Sequence, residues 1–173
     1  MGSPGESASR GGQPSLTVSP VDDDGYVVVD WRSDGPDEGL LTCSAASRGF
    51  AGRGKAWFDP STIAAFAAAC HAYPLPTGGP LPELTGGYGG SLDGSSEPVE
   101  TVRLRLYPVG TKGQLGMAIE LRSDWPWERA EERCSVGLEL LCSYEGVVRF
   151  SESLNLAVAQ GRGQARLPID RLD

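Results

Sequence analysis

The sequence predicts an α+β fold: antiparallel β-sheet with two helices packed on it, and a suggestion of a duplicated βββα layout. Three observations predict it. Apolar residues alternate with polar ones in several short runs, the period of a strand with one buried face. Two later segments instead repeat apolar residues every three to four positions behind a capping residue, the period of a helix. Gly 24 and Pro 13 in 173 residues supply the many turns that short strands need.

Residues 1–15 are Gly, Ser and Pro with a few charges and no periodicity, so they are expected to be a disordered tail, leaving 16–173 as a single α+β domain. Structure is expected to begin at Leu16-Thr17-Val18. Tyr26 to Arg32 has an apolar, β-branched centre and predicts a strand, and residues 40–46 predict another, joined through the turn residues Ser33-Asp34-Gly35-Pro36-Asp37. Between Asp22 and Glu38 stand seven acids and one arginine. A solvated loop face explains them; a docking patch for a basic partner, using Asp22, Asp23, Asp24, Asp37 and Glu38, is the sharper reading.

Arg48, Arg53 and Lys55 flank Gly49, Gly52 and Gly54. A phosphate-binding loop of the G-x-x-x-x-G-K-[ST] type must feed a helix directly, and here Lys55 is followed by more strand, so a Gly-rich hairpin turn is expected instead. Lys55-Ala56-Trp57-Phe58 ends the extended run. Asp59 then stands as N-cap with Pro60 at the first helical position, and Ile63, Phe66, Ala67 and Cys70 form one helical face that stops before Pro74. The same phasing recurs later, where Ser143 takes the place of Asp59 and Val147, Phe150 and Leu154 take the places of Ile63, Phe66 and Cys70. Residues 74–100 read as a long Pro/Gly/Ser-rich connection.

In the second half Val102, Leu104 and Leu106 alternate with Arg103 and Arg105. Leu115, Met117, Ile119 and Leu121 follow, then Cys134, Val136, Leu138, Leu140 and Cys142, which together predict a three-stranded meander. The helix with Val147, Phe150, Leu154 and Val158 on one stripe packs on it, Gly161 and Gly163 end that helix, and residues 165–169 return as a short edge strand.

The formal net charge of -8 argues against a nucleic-acid binder, since phosphate contact needs a basic surface; it suits solubility or the steering of a basic partner. There is no secretory-signal pattern and no run of about 18 apolar residues. A cytoplasmic protein that spans no membrane is therefore expected. Cys43, Cys70, Cys134 and Cys142 have no close spacing and read as small buried apolar residues, and one histidine, His71, excludes a multi-histidine metal site. No metal, cofactor or catalytic residue is expected. His71 lies off the apolar stripe without a nucleophile or acid at recognisable spacing, so a surface or capping role is expected. Glu131 and Glu132 beside Arg129 and Arg133 read as compensating charge. Trp125 and Trp127 flank Pro126 in a loop where exposed aromatics can anchor a partner or, with Tyr88, stack on a sugar. Trp31 and Trp57 lie inside strands and are expected in the core.

The segment Gly49, Phe50, Gly52, Trp57, Phe58 and Asp59 entering a helix with Phe66, the hairpin RLRLYPVGTKGQLGMAIEL, and the closing SYEGVVRFSESL resemble the WapI-type immunity proteins over roughly residues 16–167. The resemblance implies a non-catalytic protein that binds and neutralises the toxic domain of a cell-contact-dependent toxin of the same strain, a polymorphic toxin system. It rests on fold-determining positions, so it transfers no binding residue. A small-molecule or carbohydrate-binding module using Trp125, Trp127 and Tyr88 is the alternative.

Overall fold

The computed structural model describes residues 25–76, 78–88, 99–110, 113–123 and 130–170. Asp22, Asp23, Asp24, Trp125, Trp127 and the expected tail lie outside them. The elements run β1 (Tyr26–Ser33), β2 (Gly39–Ser47), β3 (Phe50–Phe58), α1 (Pro60–Ala69), β4 (Glu83–Tyr88), β5 (Val99–Val109), β6 (Gln114–Arg122), β7 (Ser135–Cys142), α2 (Tyr144–Ala159) and β8 (Arg162–Leu167), with one 3-10 turn at Ala130–Glu132. All pairings are antiparallel, and the strands divide into two sheets, β3-β2-β1-β8 and β4-β5-β6-β7. The fold is α+β, as the sequence predicts.

The β2–β3 hairpin turns on Arg48 and Gly49, whose φ values of 49 and 84 are what a two-residue type I′ turn requires, with Ser47 and Phe50 paired across it. Gly52 and Gly54, expected in that turn, are instead inside β3. Their job is close approach. A Cβ on Gly54 would stand 2.5 Å from the Thr101 carbonyl oxygen, and one on Gly52 would stand 2.1 Å from a methyl of Val136. The glycines thus let β3, the edge of the first sheet, press across β5, β6 and β7 of the second.

α1 begins as the sequence predicts: Asp59 Oδ1 accepts hydrogen bonds from the amides of Ser61 at 2.7 Å and Thr62 at 3.3 Å. Ser143 Oγ caps α2 by accepting from Gly146 N at 3.2 Å. Ile63, Phe66 and Ala67 of α1 and Val147, Phe150 and Leu154 of α2 are buried. The two helices therefore use equivalent positions, which establishes similar packing and not a duplicated chain. α2 lies on β8 and β1, and α1 packs on α2 and β4. Phe150 is fully buried in a core continuous with Trp31, Leu104 and Ile119. Burying a side chain of this kind stabilises the fold by about 1.5–3 kcal/mol.

Three further expectations are corrected. β4 forms inside the stretch read as a connection: Gly86, which looks like loop, is where the Phe58 ring sits, 2.3 Å from where a Cβ would be. Trp57 is 38% exposed on the outward face of β3, because Phe58 and Ala56 take the inward positions. Cys134 is exposed, since β7 starts one residue after it.

Candidate interaction surfaces

His71 follows α1 and meets α2: its Nε2 lies 2.8 Å from Ser151 Oγ, which also donates to the Val148 carbonyl at 2.8 Å. A serine beside a histidine is the start of a nucleophile–base pair. Here the serine is fully buried in the helix interface, with its hydroxyl donated to backbone. The pair ties α1 to α2. Nearby, Tyr144 closes the same junction by accepting from Leu75 N at 3.0 Å and meeting the Tyr73 ring edge-on at 4.6 Å.

Asp37 and Glu38, expected at a docking patch, sit with Asp34 in the exposed β1–β2 turn. The turn is held in shape: Ser33 N donates to Gly161 O at 2.7 Å, Asp34 N donates to Glu38 O at 2.9 Å, and Ser33 Oγ donates to Gly35 O at 2.5 Å. Among the described residues none of these three acids forms an ion pair.

Tyr88, at the end of β4, lines a cleft of about 110 Å³ with Arg53, Lys55, Thr101, Arg122 and Ser123. Burial raises the Tyr88 phenol above its ordinary pKa. Thr101, itself buried, donates to the Lys55 carbonyl at 2.5 Å and fixes β3 to β5 at the floor. Among the described residues no three His, Cys, Asp or Glu side chains gather as metal ligands, and no helix is long and apolar enough to cross a membrane.

The outward faces of the two sheets differ in charge. On the second sheet Arg103 pairs with Glu83 at 3.2 Å and Glu120 at 3.8 Å, and Glu139 stands near Tyr107, whose phenol is raised by burial first and by that carboxylate second. On the first sheet the register sets Lys55, Thr42, Asp30 and Gln164 in one row and Arg53, Ser44, Val28 and Arg166 in the next. Trp57, Leu40, Arg32 and Arg162 make the row beyond. Five cations thus share that face with one acid, Asp30, which accepts from Gln164 Nε2 at 2.9 Å. Sequence reasoning missed this face. Its signal was the alternation of Arg53 with Lys55 and of Arg162 with Arg166, but nothing local says that β8 returns beside β1.

No family model, no curated protein and no solved structure matches the chain.

Proposed function

We propose that this chain is a non-catalytic, immunity-type protein that binds a basic toxin domain and neutralises it by occlusion. The β1–β2 turn carries this reading. It presents Asp34, Asp37 and Glu38 to solvent in a backbone already fixed by three hydrogen bonds, so little ordering cost attends binding. Acids at an exposed tip, without an ion pair among the described residues, also steer a basic partner during approach. The residues that resemble WapI-type immunity proteins support the reading indirectly: Gly52, Phe58, Phe66 and Phe150 build sheet contact and core, leaving the turn free to vary with its partner. A carbohydrate platform around Tyr88 has less support, because a cleft of about 110 Å³ falls below the roughly 300–1,000 Å³ of small-molecule pockets.

The test is growth of a host that expresses a toxin domain encoded beside the gene for this chain. Co-expression of the chain is expected to restore growth, and Asp37→Lys with Glu38→Lys is expected to weaken association on the order of tenfold or more. Continued killing in the presence of well-expressed, folded protein overturns the proposal.

A further inference from the structure

We infer that the outward face of the β3-β2-β1-β8 sheet is a second docking surface, and that its occupant is an acidic, amphipathic helical segment of a partner protein. The inference does not rest on the toxin reading, since it concerns a different face and the opposite charge.

The charge distribution is the first support. Five of the fifteen Lys and Arg lie here with one of the twenty-three acids, in a chain whose net charge is -8. Outward strand positions are commonly charged simply to stay wet, and the second sheet shows what that looks like: the register intersperses Arg103 and Arg105 with Glu83, Glu120 and Glu139, and Arg103 pairs with the first two of these acids. On the first sheet Arg32, Arg53, Lys55, Arg162 and Arg166 have no carboxylate partner among the described residues. Five like charges gathered with Asp30 as their one counter-charge among the described residues of the face repel one another, a cost that an acidic ligand removes.

Geometry narrows the ligand. Arg53 and Lys55 are on one outer strand, and Arg162 and Arg166 on the other, three strand spacings away, or about 14 Å. Between these two basic rails lie the half-buried Val28 and Leu40, two rows apart, with Thr42 and Asp30 in the row between them and Ser44 and Arg32 beside them. A helix is about 10–12 Å across with its side chains, so one laid along the trough would put an apolar stripe on Val28 and Leu40 and acids against both rails. Single-stranded nucleic acid fits less well. It binds sheets through several open aromatic faces, whereas here Trp57 is exposed but the Tyr26 ring is covered by the Arg166 guanidinium at 5.9 Å, and the net charge repels a polyanion from a distance.

The test is fluorescence anisotropy on the full chain, with a labelled amphipathic peptide of glutamate, leucine and alanine as probe. Saturable binding that weakens steeply with salt is expected, with a loss of about tenfold or more in Arg53→Glu/Lys55→Glu/Arg162→Glu/Arg166→Glu. The milder Arg162→Gln/Arg166→Gln, whose circular dichroism is expected to match the parent, should lose a few-fold if the face binds as described. Asp37→Lys/Glu38→Lys should leave peptide binding in place, which separates this result from the growth test. The inference is overturned by absence of binding, by affinity unchanged in both variants, by an oligothymidylate probe binding more tightly than the peptide, or by sedimentation showing that a second copy of the chain occupies the face.

Discussion

Burial divides the four thiols of this chain, and the division is measurable. Cys43, Cys70 and Cys142 are buried, and burial pushes each thiol up from its ordinary 9.0 to about 12, with Asp30 adding to the effect at Cys43 and Asp170 and Cys70 adding at Cys142. Since the thiolate is the reactive form, these three are expected to resist a thiol reagent near pH 8, and Cys134 alone is expected to react until the protein is unfolded. Titration of free thiols with and without denaturant checks this; more than one fast equivalent in the native protein contradicts it. The same shifts set an alkaline limit. The folded state holds these protons more tightly than the unfolded state, so their contribution is complete below about pH 9 and is lost as pH rises from there toward 12. Thermal melts across that window are expected to show a falling Tm. The sequence made three of the thiols legible, because each lies on an apolar face of its strand or helix. Cys134 was misread because it continues the apolar alternation of β7 just past the end of the strand, where its side chain is exposed although its carbonyl still accepts from Ser123 N at 2.9 Å.

At the scale of elements, the helix caps were readable because every atom they need lies within three residues. Replacing Ser143 by Ala removes the acceptor of the Gly146 amide and is expected to cost about 1 kcal/mol, checked by denaturant melts of the variant. Asp59 adds a pH dependence. Hydrogen bonds from Ser61 and Thr62, side chains first and then backbone, hold its carboxyl below the ordinary 3.8. Its folded pKa is depressed, so its contribution is present above 3.8 and is lost as pH falls through the folded value. Asp59→Asn keeps a capping oxygen but does not titrate, so the Tm difference between the parent and this variant is expected to shrink as pH drops from 5 toward 2. A difference that stays constant over that range contradicts the assignment. β4 shows where local reading ends. Gly86 and Gly87 look like loop, and the reason for Gly86 is the Phe58 ring, which reaches it from another sheet. The outward basic face escaped for the same reason, as Arg53 and Arg166 are joined only through pairings along two intervening strands.

For the molecule as a whole, the strand order makes the two halves depend on each other. The chain runs three strands, α1 and β4, then three strands, α2 and β8, yet β4 pairs with β5 and β8 pairs with β1. Each half therefore carries the fourth strand of the other's sheet. A first half alone would leave the β1 edge unpaired and the core without Ala165 and Leu167, while a second half alone would leave β5 unpaired and lose Leu84. β3 compounds the dependence, since Gly52 and Gly54 seat it against Val136 and Thr101 of the second sheet. Unpaired edges and exposed inner faces of this extent leave too little burial to offset chain entropy in pieces of such size. Chains divided within residues 90–98 are accordingly expected to lack near-ultraviolet circular dichroism and a cooperative melt when prepared separately, and to regain both when the two halves are refolded together. If either half shows a native-like melt by itself, the exchanged strands do not hold the molecule together, and the sheets are independent units that merely touch along β3.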